Sequence, residues 1–95
     1  MKRLAPTQIK TALVGIPGWK KKGSAITRTF QFEDFPAAIK FVTAVARPAE
    51  RANHHPDIDI RWNKVTLALT THDAGGLTQK DFDLAKKFDS LTRRN

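Results

Sequence analysis

Apolar and polar residues follow two different periods along the chain, and these periods predict helices and strands in a definite order. From Ala5 to Leu13, apolar residues recur at helical spacing, and Gly15 follows the segment. From Ala25 to Phe32, apolar and polar residues alternate, as in a half-buried antiparallel strand. The run Lys20–Ser24 before this strand is predicted to form a hairpin turn.

The longest predicted helix lies in the middle of the chain. Asp34 is a favourable N-cap, and an apolar stripe follows it, formed by Phe35, Ala38, Ile39, Val42, Val45, Ala46 and Ala49. Pro48 lies within this pattern and removes one backbone hydrogen bond, which predicts either a kink or a new short helix from Pro48 to Asn53. In both cases the helical segment ends at His54-His55-Pro56.

The second half of the chain is predicted to form two further strands and a last helix. Two alternating segments, Asp57–Trp62 and Val65–Thr71, are joined by a tight turn predicted at Asn63-Lys64. Thr78 is predicted to cap the last helix, whose buried face contains Leu77, Leu84, Phe88 and Leu91. The pattern therefore predicts one α+β domain over residues 1–95, with the order α-β-β-α-β-β-α and a four-stranded antiparallel sheet carrying its helices on one face.

Composition narrows the class of protein. The net charge of +8 requires that a polyanionic partner be considered. The basic runs Lys20–Lys22, Lys86-Lys87 and Arg93-Arg94 are short and separated, and no aromatic residues alternate with them, so we expect a solvated surface rather than a nucleic-acid site. The chain contains no cysteine, no apolar run that could span a bilayer and no apolar secretory signal, which favours a cytoplasmic protein.

Three histidines carry the candidate chemistry. His54 and His55 are adjacent at the corner before Pro56, and His72 follows the last strand. Imidazole is the side chain whose unperturbed pKa lies nearest neutrality, so general acid–base catalysis is one interpretation. Metal binding is a second, although adjacent histidines rarely both reach one ion and the spacing of helical zinc ligands is absent. Capping of a helix C-terminus is the third.

Two further features bear on these alternatives. By strand parity His72 is expected on the face opposite the buried leucines, and therefore outside the core. Asp81 lies on the inward side of the last helix, where a carboxylate needs a partner, so it is a candidate for orienting a histidine or binding a donor on a ligand.

These residues resemble the signature of the pterin-4a-carbinolamine dehydratase family over nearly the whole chain. The resemblance is most specific in the spacing of Glu50, His54-His55-Pro56, Trp62, His72 and Asp81, and it extends to Gly18-Trp19, Phe30–Phe32, Asp34-Phe35, Trp62–Val65 and Thr71–Thr78. Asn53, Trp62 and Pro48 depart from the usual pattern of the family.

The resemblance implies a hydro-lyase that removes water from a 4a-hydroxytetrahydropterin without a metal or other cofactor. It implies that His54, His55 and His72 surround the pterin, that Glu50 and Asp81 orient imidazoles or bind pterin N–H groups, and that Trp19 walls the pocket. It also implies a homo-oligomer, dimer or tetramer, for which an exposed stripe such as Phe41–Val45 would be suitable.

The resemblance suggests two kinds of protein partner without deciding between them. An aromatic amino acid hydroxylase would be the partner in the pathway of pterin recycling. Some members of the family are non-enzymatic dimerisation cofactors of a transcription factor, so a protein-interaction module on the same fold is the alternative function.

Overall fold

The computed structural model describes residues 2–92. The Arg93-Arg94 pair, which the charge pattern predicts to be solvated, lies outside these residues. The described chain forms the predicted order of elements: α1 (Pro6–Val14), β1 (Lys20–Lys22), β2 (Ala25–Gln31), α2 (Phe35–Ala52), β3 (Asp57–Arg61), β4 (Lys64–Leu69), a 3-10 turn (His72–Ala74) and α3 (Gln79–Thr92). Within residues 2–92, no helix is both long enough and apolar enough to cross a membrane.

The strands form one antiparallel sheet in the order β1-β2-β4-β3. Alternate side chains of β2 and β4 are buried beneath the helices: Ile26, Phe30, Val65, Leu67 and Leu69. On the opposite face the hydroxyls of Thr29 and Thr66 form a hydrogen bond of 2.8 Å between the two strands. One face of the sheet therefore carries the core and the other faces solvent, which confirms the predicted α+β architecture.

The first hairpin turn is shorter than predicted, and the second is shifted by one residue. Lys20–Lys22 is strand β1 rather than part of the turn, and Gly23, with a φ of 61°, lies in the turn itself. Lysine is tolerated in β1 because an edge strand leaves long charged side chains in water. In the second hairpin Arg61 pairs with Lys64, so the turn residues are Trp62 and Asn63 rather than Asn63-Lys64.

Helix α2 begins as predicted and is continuous through Pro48. The side chain of Asp34 accepts a hydrogen bond from the backbone N–H of Ala37 at 2.9 Å. The helix neither breaks at Pro48 nor restarts there, because packing of its apolar face holds the backbone on both sides of the proline. Its buried residues are Ala38, Phe41, Val45 and Ala49.

The expected exposed stripe at Phe41–Val45 is wrong. The ring of Phe41 packs against the rings of Phe30 and Phe32, with centroid distances of 4.7 and 5.0 Å, and Val45 is fully buried. The apolar side chains that α2 exposes are instead Phe35 and Ile39. The helix packs on the sheet with its Phe41 side inward. The apolar stripe predicted from Phe35 to Ala49 is therefore only partly covered, and its Phe35 and Ile39 side chains remain exposed.

Replacing Pro48 by alanine should stabilise the protein. Proline lacks the N–H that a residue at this position would donate inside the helix, and restoring it should raise the free energy of unfolding by about 1–3 kcal/mol. Chemical denaturation monitored by circular dichroism measures the change, with Ala46→Gly, at an exposed position of the same helix, as the control that should lose about 1 kcal/mol. A loss of stability in Pro48→Ala would show instead that packing of the proline ring outweighs the missing hydrogen bond.

Candidate active site

The end of α2 fixes the position of His54. Asn53 adopts the left-handed conformation, with φ 51° and ψ 44°, a region that asparagine tolerates better than most residues. The N–H of Asn53 donates to the carbonyl of Glu50 at 3.1 Å, and the N–H of His54 donates to that of Ala49 at 3.0 Å. These two bonds form a Schellman motif, which closes the helix and sets the backbone of His54.

Asp81 is the residue on which the site converges. It occupies the third position of α3 and has 0% of its surface exposed. One oxygen, Oδ1, lies 2.6 Å from His54 Nε2, and Oδ2 accepts hydrogen bonds from the Thr71 hydroxyl and the Thr78 backbone N–H, both at 2.9 Å. Thr78 precedes the helix, so its bond to Asp81 is half of a capping box, and the helix N-terminus further favours the negative charge.

This arrangement determines how His54 can act. An ionised carboxylate can only accept hydrogen bonds, so Nε2 of His54 is the donor in its 2.6 Å contact with Asp81. In the neutral ring the other nitrogen, Nδ1, then carries a lone pair. His54 can take up a proton there, and Asp81 stabilises the imidazolium that forms. The side chain of His54 is 11% exposed, which leaves a small opening to a ligand.

His55 pairs with Glu50 on the outside of the same corner. Its Nε2 lies 2.9 Å from Glu50 Oε1, and both side chains are largely exposed. Such exposed pairs contribute little to stability, at most about 1 kcal/mol. Both side chains are therefore free to exchange their mutual contact for contacts to a ligand.

His72 lies on the 3-10 turn and is exposed. Strand β4 ends at Leu69, so His72 does not continue the strand as predicted, but the expectation that His72 lies outside the core is confirmed. The preceding residue, Thr71, donates to the same carboxylate, Asp81, that holds His54. The fold thus brings the backbone of His72 to the His54–Asp81 pair.

The chain's N-terminal segment supports the turn that carries His72. The N–H of Leu4 donates to the carbonyl of Leu77 at 2.8 Å, and Arg3 Nη1 lies 3.4 Å from the carbonyl oxygen of Gly75. A Cβ at Gly76 would lie 2.7 Å from Cδ of Arg3, so a larger residue there would require the Arg3 side chain to shift. The turn is therefore in contact with residues near the opposite end of the sequence.

Sequence reasoning named Thr78 and Asp81 but missed the hydrogen bond between them, and it missed the contacts of Thr71 and Arg3 altogether. Thr78 and Asp81 have the spacing of a capping box, which could have predicted their hydrogen bond. Thr71 and Arg3 had no comparable signal, because their contacts join segments that are distant along the chain.

Trp19 does not lie beside this cluster. It is 3% exposed, its ring packs edge-on against Phe30, and its Nε1 donates to Asp89 Oδ1 at 2.9 Å. Asp89 and Asp81 are eight residues apart on α3, which corresponds to about 12 Å along the helix axis. The described contacts of Trp19 are those of a core residue, and its role as a pocket wall stays a prediction.

Neither a metal cluster nor one of the main cavities involves the three histidines in the part of the chain that the structure describes. Within residues 2–92, no group of three or more His, Cys, Asp or Glu side chains is placed to hold a metal ion. The main cavities along the described chain lie at the α1–α3 and α2–α3 boundaries and beside α2, and none is lined by His54, His55 or His72. A cavity enclosed by all three imidazoles therefore stays a prediction.

Comparison with known proteins places this arrangement in a family. A protein from Roseiflexus sp. (strain RS-1), provisionally named pterin-4-alpha-carbinolamine dehydratase, is 60% identical over 89 residues, covering 94% of this chain and 96% of its own. A protein of Nocardia farcinica with the same provisional name is 58% identical over 90 residues, covering 95% of each chain.

Solved structures show the same fold. A crystal structure of a transcriptional coactivator/pterin dehydratase from Brucella melitensis superposes with a TM-score of 0.91 at 36% identity, covering 95% of this chain and 98% of that one. A pterin dehydratase-like protein described as a RuBisCO assembly factor in the alpha-carboxysome shares the fold alone, with a TM-score of 0.65 at 20% identity and coverage of 81% and 89%. The sequence model of the family described as pterin 4 alpha carbinolamine dehydratase matches residues 2–91, and this chain belongs to that family.

Proposed function

We propose that this protein is a hydro-lyase that converts 4a-hydroxytetrahydrobiopterin into quinonoid dihydropterin and water by histidine acid–base catalysis, in pterin recycling. Family membership supports the reaction class. In this reaction the C4a–O bond breaks, the departing hydroxide takes a proton and leaves as water, and N5 loses its proton to form the C4a–N5 double bond. The reaction therefore needs one acid and one base.

The single observation that carries the proposal is the hydrogen bond of 2.6 Å between His54 and the buried carboxylate of Asp81. It leaves Nδ1 of His54 as a lone-pair acceptor, so we assign His54 as the base that takes the proton from N5. His72 is assigned as the acid at the departing oxygen, since it is exposed and follows Thr71, which binds the same carboxylate.

The remaining site residues have positioning roles in this proposal. His55 and Glu50 form an exposed pair at the rim and would bind the ring, with the Glu50 carboxylate accepting from pterin N–H groups. The predicted role of Trp19 as a wall of the pocket is kept in this proposal on the family resemblance alone, since its described contacts are with Phe30 and Asp89. The cytoplasmic location rests on the composition of the chain, and the aromatic amino acid hydroxylase partner in the pathway rests on the family resemblance alone.

A second candidate function rests on the exposed apolar surface. Phe35 and Ile39 on α2 and Ile58 and Ile60 on the edge strand β3 are all more than one third exposed. The similar structure from Brucella melitensis is described as a coactivator as well as a dehydratase. We infer that this surface joins copies of the chain into a homo-oligomer, and that a non-enzymatic interaction module would use the same surface.

Replacing His54 or His72 by alanine should reduce turnover by about 10²–10⁴-fold, since each variant removes one proton-transfer group. Stopped-flow absorbance with freshly generated carbinolamine, run from about pH 6 to pH 9 around the unperturbed pKa of histidine, measures the rate. His55→Ala is the matched comparison, and it should raise KM more than it lowers kcat.

The free energy of unfolding of the same variants separates catalysis from structure. His54→Ala should lose about 1–3 kcal/mol, the cost of leaving Asp81 short of one donor, and the exposed His72 should be nearly neutral. Turnover that falls only in proportion to the folded fraction would assign the histidines a structural role. Pterin binding without any dehydratase rate in the wild type would favour the interaction module.

Replacing Thr71 by valine should impair catalysis through His54. Valine keeps the shape of threonine but removes the hydroxyl that donates to Asp81 and contacts the Thr78 hydroxyl at 2.9 Å. We expect a loss of stability of about 1–2 kcal/mol and a lower kcat with little change in KM. Thr71→Ser keeps the donor and should retain most of the kcat, so equal loss in the valine and serine variants would contradict the role assigned to the hydroxyl.

Charge placed on the exposed apolar surface should dissociate the oligomer. The wild type is expected to be a dimer or tetramer in size-exclusion chromatography with light scattering, and Ile39→Lys with Ile58→Lys should yield monomers, because lysine is costly to bury without a partner. Val14→Lys is the control, since Val14 is 79% exposed on α1 and should leave the mass unchanged. A monomeric wild type, or an oligomer that survives both lysines, would show that this surface is not the interface.

A further inference from the structure

Helices α2 and α3 enclose a groove between them. Two neighbouring cavities of about 260 and 560 Å³ lie along it and share Pro48, Arg51 and Lys87 in their walls. At about 100° per residue, Phe35 lies about 160° around α2 from Arg51. Arg51 is thus on a different side of α2 from Phe35. Thr43 and Arg47 in the groove wall lie about 40° and 80° from Ile39, so the groove borders the surface proposed to join copies of the chain.

The walls of this groove are strongly basic. They contain five cationic side chains: Lys40, Arg47, Arg51, Lys80 and Lys87. The acidic residue among them, Asp83, accepts a hydrogen bond from Gln79 Nε2 at 2.9 Å. None of the five cations forms an ion pair within residues 2–92. Such a cluster of like charges raises the free energy of the empty groove, and a bound polyanion would lower it.

The cations are spaced along the groove rather than gathered at one point. Lys40 and Arg51 are eleven residues apart on α2, or about 16 Å along the axis, and Arg47 lies between them on the same side. On α3, Lys80 and Lys87 are seven residues apart, or about 10 Å. The groove thus presents a track of positive charge, which matches a partner whose negative charges repeat at regular intervals.

We propose that this groove binds the phosphate backbone of double-stranded DNA without reading its sequence. The described walls contain no aromatic side chain on which unpaired bases could stack, which favours a duplex over a single strand. They also present no free strand edge that could pair with an acidic peptide. In the sequence the cations are scattered, and this pattern predicted a solvated surface rather than a nucleic-acid site. In the structure the packing of α2 against α3 brings five cationic side chains together in one groove.

The test measures the salt dependence of binding to a fluorescein-labelled duplex of about two helical turns, ~20 bp, by anisotropy. Five phosphate contacts predict a slope of log K against log salt of about −4.5, which is a loss of about 500-fold between about 50 and 200 mM salt. Arg47→Gln, Arg51→Gln and Lys87→Gln together should reduce the slope to about −1.8 and the loss to about 12-fold.

The matched control removes the same charge elsewhere. Lys10→Gln, Lys22→Gln and Lys86→Gln together also lower the net charge from +8 to +5, at exposed positions outside the groove, and should retain the slope of the wild type. Thermal unfolding by circular dichroism confirms that both triple variants are folded. Equal weakening of binding in the two triple variants, a slope near zero in the wild type, or stronger competition from polyglutamate than from unlabelled duplex would each overturn the proposal.

Discussion

The site depends on one buried charge. Asp81 has none of its surface in water, and a carboxylate in such a place is costly unless donors surround it. Three donors do so, from the end of α2 through His54, from the segment after β4 through Thr71, and from the start of α3 through Thr78. Removing any one donor would leave the buried carboxylate incompletely paired, which is energetically costly. The three hydrogen bonds therefore hold these chain segments together near the histidines.

The hydrogen bond to Asp81 that stabilises the fold also fixes which nitrogen of His54 can transfer a proton. The Schellman motif at Asn53 fixes the backbone of His54, and Asp81 accepts a hydrogen bond from one of its two ring nitrogens. The nitrogen that remains is the one available for proton transfer. His55 and His72 stay exposed beside this fixed pair, so the fold combines one rigid imidazole with two that can adjust to a ligand.

The sequence predicted the features that arise from local spacing. The order of the elements, the cap at Asp34, the helix end at Asn53 and the inward direction of Asp81 all follow from periodicity and residue type. The features it missed arise from packing between distant segments. Which part of the apolar stripe on α2 is covered depends on the crossing of helix and sheet, so Phe41 is buried where Phe35 is exposed. The indole of Trp19 is held by Asp89, far along the chain, and the basic groove exists only once α2 and α3 are packed.

The tautomer of the His54 ring shows directly whether Asp81 accepts a hydrogen bond from Nε2. Long-range ¹H–¹⁵N correlation spectra of the free protein, assigned by comparison with His54→Gln, distinguish the two neutral tautomers of an imidazole. In the neutral ring, the hydrogen bond to Asp81 predicts a single Nε2–H tautomer whose proton is shifted downfield, with an unprotonated Nδ1. A neutral ring whose single proton is on Nδ1, or one that averages rapidly between the two tautomers, would contradict this assignment.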